Sequence, residues 1–303
     1  MVIPDGIDSI KAANAWHEKH DGDWIETPPP NNPAFTRNWL LRQNDLVDRY
    51  RPDLVYFDNY TLPLGQAGLD ATAHYYNRQS GDVVVTGKKL SPLQRRAIVE
   101  DVERGFSDRL RDEPWQTDTC IGNWHYDRRV YERGGYKSGQ QVIQRLIDVV
   151  SKNGCLLVSI PQRGDGSIDD KEEKVLADMA GWIAVNGEAI YGTRPWRAYG
   201  EGPTKLVEGM MNEGGAKPFE ATDIRFTTKA GALYALPMAW PQGPLTIESL
   251  KTGGAPGEAR RVTLLGGGDP LPFRREAGGL VVDLPDRRPT FTPVLKIEGP
   301  GLV

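Results

Sequence analysis

Asp58 is the first residue of this chain placed where chemistry could happen. It closes the run Pro52-Asp53-Leu54-Val55-Tyr56-Phe57-Asp58. Leu54 to Phe57 are continuously apolar, the pattern of a strand buried on both faces of a parallel sheet. α/β folds set their reactive groups at the carboxyl ends of such strands. Turn-forming residues follow at once, in Asn59-Tyr60-Thr61-Leu62-Pro63-Leu64-Gly65, so the carboxylate is expected to face a loop-lined cleft. A helix-capping or turn aspartate is the alternative reading of the same position. Eight tryptophans in a polar, loop-rich chain add a second hint, because indole faces stack on the C–H surfaces of sugars; ordinary core packing is the alternative for each one.

Composition narrows the field. The 303 residues, 39% hydrophobic and 26% charged, suit a globular protein of two domains, or one large and one small. A net charge of -4 gives no broad basic surface and so no case for nucleic acid. Cys120 and Cys155 are too few for a disulfide scaffold, and no His/Cys spacing suggests a metal site; neither metal nor cofactor is expected. No apolar run approaches the about 20 residues of a membrane span. The start, Met1-Val2-Ile3-Pro4-Asp5, lacks the basic and apolar stretches of a signal peptide. The reading is a soluble chain, cytoplasmic as it stands.

The elements that must position Asp58 alternate between helix and strand. Trp39, Leu40, Leu46, Val47 and Tyr50 share one face of a helix over residues 34–50. A second helix spans about residues 66–78. Asp82-Val83-Val84-Val85-Thr86 reads as a short buried strand, and Ala97 to Glu103 as a weaker one that ends at Arg104-Gly105. An irregular loop of about thirty residues is expected next, carrying Trp115, Trp124, Tyr126 and Arg128. Val142, Ile143, Leu146, Ile147 and Val150 mark another helix, stopped by Asn153-Gly154. Cys155 to Ile160 reads as a fourth buried strand, and Val175, Leu176, Met179, Trp182 and Ile183 define the last long helix. Such alternation argues for a parallel sheet with crossover helices. Residues 199–218 read as a linker. Beyond them, short runs such as Leu233-Tyr234-Ala235-Leu236 and Leu280-Val281-Val282-Asp283-Leu284, separated by glycine turns, suggest a small antiparallel sandwich. The Gly266-Gly267-Gly268 cluster has neither the strand-to-helix setting nor the Lys-Ser/Thr ending of a phosphate loop.

The Asp58 run resembles the nucleophile segment of glycoside hydrolase family 29, the retaining α-L-fucosidases. Further matches follow in family order: Glu103-Arg104-Gly105, Pro114-Trp115-Gln116-Thr117-Asp118-Thr119, Asn123-Trp124-His125-Tyr126 and Val150-Ser151-Lys152-Asn153-Gly154-Cys155-Leu156-Leu157. Asp165-Gly166-Ser167-Ile168 and the stretch Trp182 to Trp196 complete the series. The resemblance implies an irregular (β/α) barrel followed by a C-terminal β-sandwich, divided here as residues 1–200 and 201–303. It implies hydrolysis of terminal α-L-fucosyl residues on a fucosylated oligosaccharide or glycoconjugate. It gives Asp58 the role of nucleophile, forming a covalent glycosyl-enzyme, with a second carboxyl group as acid/base. Glu103, at the end of its own strand, is the expected acid/base; a salt bridge with Arg104 or another arginine of this loop is the alternative. Glu113 is the reserve. His17, His20, Trp124, Tyr126, Arg128 and Trp196 are the candidate sugar contacts; solvated loop residues for the two histidines and plain packing for the other four are the alternatives.

Two departures qualify the resemblance. Gln116 stands where many relatives have Glu, and an amide cannot cycle a proton; Cys155 and Ser159 lie in a strand where relatives often have Asn. Asp58 also arrives early: family members carry a long preceding segment with the first barrel strands and a pair of adjacent histidines. A full barrel of this kind takes about 250 residues. The expectation is therefore an incomplete barrel in a naturally short or N-terminally truncated chain, with self-association favoured for covering the open face over a cover by residues 1–33 or a sheet left open. A fucose-binding or structural remnant without turnover is the second function class.

Overall fold

The computed structural model describes residues 33–60, 65–254, 257–286, 288 and 291–303, so His17 and His20 lie outside the described residues. The chain divides into two compact units, Met1–Asp101 and Val102–Val303.

In the first unit, helix α1 (Pro33–Tyr50) opens on a proline, whose missing N–H costs nothing at a helix start. It ends where Arg51 turns to a positive φ of 43° ahead of Pro52. Strand β1 (Leu54–Tyr60), helix α2 (Gln66–Arg78), strand β2 (Val84–Lys88) and strand β3 (Val99–Val102) follow. β1 pairs parallel with β2 from Leu54↔Val84 to Phe57↔Gly87, and β2 pairs parallel with β3 from Thr86↔Val99 to Lys88↔Asp101. Val47, Phe57, Tyr75, Val85, Leu90 and Ile98 form the core between helices and strands. Tyr75 is buried there because its hydroxyl finds a partner, donating to the Pro52 carbonyl at 2.9 Å.

The second unit carries strand β4 (Trp115–Cys120), helices α3 (Arg128–Arg133) and α4 (Gly139–Ser151), strand β5 (Gly154–Ser159) and helix α5 (Asp170–Asn186). β4 and β5 pair parallel from Trp115↔Gly154 to Cys120↔Ser159. Both long helices start on reciprocal caps, Ser138 with Gln141 and Asp169 with Glu172. Among the described residues five parallel strands follow one another in the order β1-β2-β3-β4-β5. This is an incomplete (β/α) barrel beside the eight strands of a closed one, one strand more than the sequence suggested. The extra strand is β4, in the expected irregular loop. It is polar, and all six of its residues are buried.

An antiparallel sandwich completes the unit: strands β6 (Arg194–Glu201), β7 (Ile224–Lys229), β8 (Ala232–Pro237), β9 (Leu245–Ile247), β10 (Arg261–Leu264), β11 (Phe273–Arg275), β12 (Leu280–Val282) and β13 (Leu295–Glu298). They form a five-stranded sheet, β10-β13-β8-β7-β6, and a three-stranded one, β11-β12-β9. Phe226, Leu233, Val262, Leu280 and Ile297 fill the space between. The boundary expected after residue 200 falls inside β6, which pairs with β7 from Arg194↔Thr228 onward. A second core joins Ile143 and Ile147 of α4 and Trp182 of α5 to Tyr234, Leu236 and Met238. Beside it, buried Asp148 of α4 accepts from Lys152 Nζ and from Arg225 Nε of β7, both at 2.8 Å. Residues 199–218 are not a spacer: after β6 the chain folds back onto the turn that follows β3. No helix among the described residues is long and apolar enough to cross a membrane.

Candidate active site

Asp58 sits within β1 at an irregularity. The register with β2 shifts between Phe57 and Tyr60, and such bulges re-aim a side chain out of the ladder. The Asp58 side chain is 76% exposed, yet one oxygen lies 3.1 Å from the Nζ of Lys88, whose side chain is 1% exposed. The same ammonium is 3.3 Å from Asp101, which is fully buried, and Asp101 in turn accepts the Tyr56 hydroxyl at 2.8 Å. Burial pushes the Tyr56 phenol far up, and the Asp101 carboxylate beside it pushes the same way. Asp58, Lys88 and Asp101 thus stand toward the carboxyl ends of β1, β2 and β3. A buried ammonium is tolerated only when paired, and here it ties an exposed carboxylate to a buried one. Sequence reasoning missed Lys88, although it closes the Val83-Val84-Val85 strand much as Asp58 closes its own.

Glu103 follows the last residue of β3 and is partly buried in a turn. The turn backbone is held from all sides. The carbonyl of Val102 accepts the Thr117 hydroxyl at 2.7 Å, and that of Gly105 accepts Arg145 Nη2 and Thr117. The carbonyls of Glu103 and Arg104 accept the Met211 and Glu213 amides at 2.8 and 3.1 Å. The Arg104 amide donates to Asp118 of β4 at 2.8 Å. Asp118 is a second buried acid to which sequence reasoning assigned no role. Gly105 is required: a Cβ there would lie 1.9 Å from the Gly209 carbonyl oxygen. Glu113 is exposed in the loop before β4, and Gln116 is buried within β4.

The candidate sugar contacts are not all in one place. Trp124 is partly exposed, with the Arg104 guanidinium 5.9 Å from its ring centroid, so it belongs with the Glu103 turn. Tyr126 lies under the Arg163 guanidinium at 5.4 Å. Arg128, the first residue of α3, is exposed and bonds Glu132 one turn on at 2.8 Å. Trp196 lies in the sandwich core against Phe226, centroids 5.0 Å apart, and donates its indole N–H to the Leu302 carbonyl at 2.8 Å. Among the described residues no cluster of three or more His, Cys, Asp or Glu could hold a metal.

The described residues thus carry a partial parallel barrel with carboxylates near its strand ends, followed in sequence by an antiparallel sandwich. The alpha-L-fucosidase family model matches residues 9–188, and that of the alpha-L-fucosidase C-terminal domain matches residues 217–298. The chain belongs to the alpha-L-fucosidase family, as its resemblance to glycoside hydrolase family 29 implied. Similar proteins include the tissue alpha-L-fucosidase of Rattus norvegicus, 26% identical over 272 residues, covering 82% of this chain and 52% of the relative. The plasma alpha-L-fucosidase of Rattus norvegicus is 30% identical over 263 residues, covering 80% and 50%. The chain therefore spans about half the length of the curated relatives it matches. Among solved structures, an alpha-L-fucosidase superposes with a TM-score of 0.70 at 26% identity, over 89% of this chain and 57% of that one. A Thermotoga maritima alpha-fucosidase gives 0.67 at 25%, over 88% and 57%.

Proposed function

We propose that this chain hydrolyses terminal α-L-fucosyl residues of oligosaccharides or glycoconjugates with retention, through a covalent intermediate on Asp58. The observation that carries the reading is the placement of Asp58: exposed at a bulge toward the end of β1, with the buried Lys88 ammonium fixing its carboxylate. Asp58 attacks the anomeric carbon as the bond to the aglycone oxygen breaks, and Glu103 gives that oxygen its proton. Glu103 then takes a proton from water as the water oxygen displaces Asp58, restoring both groups. This chemistry calls for two carboxyl groups about 5–5.5 Å apart. Trp124 beside the Glu103 turn offers an indole face to the apolar side of the sugar, and Tyr126 and Arg128 supply polar groups nearby in sequence. His17 and His20 are proposed to complete the pocket.

The test is release of nitrophenol from a nitrophenyl α-L-fucoside. Asp58→Gly should lower turnover by several orders of magnitude, and added azide should restore part of it as a fucosyl azide of inverted anomeric configuration. Near wild-type turnover in Asp58→Gly would overturn the assignment. Tight fucose binding by the unaltered chain without any turnover would instead favour a binding protein.

A further inference from the structure

The loop between β6 and β7 forms a strap across the Glu103 turn. Gly209 and Phe106 exchange backbone hydrogen bonds at 3.1 and 3.2 Å, and the Met211 and Glu213 amides continue the ladder onto the Glu103 and Arg104 carbonyls. Apolar burial holds this strap only in part: Leu206 is buried and Met210 packs against the core of Val102, Trp115 and Val149, but Val207 and Met211 are 76% and 59% exposed. Its anchor is Glu213, 10% exposed. One carboxylate oxygen accepts Arg104 Nε at 3.2 Å; the other accepts the Thr119 hydroxyl at 2.6 Å and lies 3.3 Å from Lys137 Nζ. Farther along, Glu208 pairs with Arg109 and Arg111. The anchored residue, Arg104, has a positive φ of 42°, a conformation that a non-glycine residue keeps only where its surroundings enforce it. It is the immediate neighbour of Glu103, so the same clamp sets the direction in which the Glu103 side chain leaves the backbone.

We infer that Glu213 is a positioning residue for the acid/base: by clamping Arg104 and seating the strap, it holds Glu103 where it can protonate the departing oxygen. This rests on the acid/base reading of Glu103 given above. Misplacing a catalytic group by about 1 Å can cost on the order of 100-fold in rate. Loss of proton transfer penalises poor leaving groups, which need the proton, more than activated ones, which do not.

The experiment compares Glu213→Gln with the unaltered chain on two fucosides, one with a nitrophenol leaving group and one with an alkyl or sugar alcohol. The amide keeps an acceptor for Thr119 but removes the charge that pairs Arg104 and Lys137. The expected result is a fall in kcat of roughly 10-fold or more on the alcohol fucoside, with KM little changed, and a change within about twofold on the nitrophenyl fucoside. Amide hydrogen exchange at Met211 and Glu213 should quicken. Arg104→Met, which cuts the same link from the partly exposed side, should give the same selective loss and decides the matter if Glu213→Gln does not fold. An equal fall on both substrates, or none, overturns the inference. Glu103→Ala is run alongside: a selective loss there with none in Glu213→Gln rejects the strap alone, whereas an equal loss in Glu103→Ala rejects the acid/base reading itself.

Discussion

Buried at the end of β2, Lys88 lies between two carboxylates of unlike exposure, Asp58 open to solvent and Asp101 sealed. Removing one member of a buried charge cluster leaves the other uncompensated, at about 3–5 kcal/mol. Asp58 can rehydrate, so the strain of Lys88→Met falls on Asp101, and the lower end, about 3 kcal/mol, is expected in urea unfolding. An unchanged midpoint would show that the ammonium gives no net stability. Glu103→Ala should slow natural fucosides far more than activated aryl ones and remove the basic limb of the pH profile, since only the protonated carboxyl can donate. The two chemistries were unequally legible. Asp58 could be found because an apolar strand points at it. Lys88 obeys the same rule, but a lysine after Gly87 reads as a turn residue until its burial is seen. Trp196 shows the converse: an indole is as suited to a core as to a sugar face, and here it packs between the sheets.

At the scale of elements, helices were readable because their apolar residues recur on one face, as in α4, where Val142, Ile143 and Ile147 are buried. β4 was not readable. Trp115-Gln116-Thr117-Asp118-Thr119-Cys120 has no apolar run or alternation, because its polar side chains are satisfied inside the unit. Thr117 bonds the Val102 and Gly105 carbonyls, Asp118 receives the Arg104 amide, and Thr119 donates to Glu213. Hydrophobic periodicity sees only strands that bury apolar surface. Thr117→Val keeps the shape and deletes the hydroxyl; leaving buried carbonyls short of a donor should cost about 1–3 kcal/mol in chemical denaturation. A neutral result would mean that water replaces the hydroxyl. The segment after β6 was misread for a related reason. Its glycine and polar content signals a linker, but its amides serve the turn next to it, and hydrogen bonding leaves no hydropathy trace.

For the whole molecule, acid is the informative stress. Burial alone would raise the carboxyl of Asp148, but Lys152 and Arg225 hold it below the usual range. Burial likewise opposes, and Thr119, Lys137, Arg145 and Arg104 outweigh it, at Glu213; Arg111 and Arg109 do so at Glu208. A depressed folded-state pKa contributes stability that is present above the unfolded value, about 4, and is lost as pH falls through the folded one. The urea midpoint should therefore drop steadily below pH about 4; a flat profile there would show that these ion pairs contribute nothing net. The first unit raises a different question. Leu41, Leu46, Tyr50 and Leu54 are exposed apolar side chains on α1 and on β1, which ends the sheet among the described residues. Unpaired edges and apolar faces favour association. Self-association, visible by light scattering, is the expected outcome; a monodisperse monomer that stays fully active on dilution to nanomolar concentration would refute it.

The sandwich shares a hydrophobic core with α4 and α5, and its Arg225 neutralises an aspartate of α4. Domains that travel between genes meet their neighbours through small polar interfaces, so that either side survives the exchange. This one does not have that freedom. A chimera that took residues 194–303 from a distant relative would have to bring an arginine at the place of Arg225 and apolar partners for Ile143, Ile147 and Trp182, or strand a buried carboxylate. Natural recombination at this junction should therefore be rare, and the helices and the sheets should be inherited, lengthened and lost together.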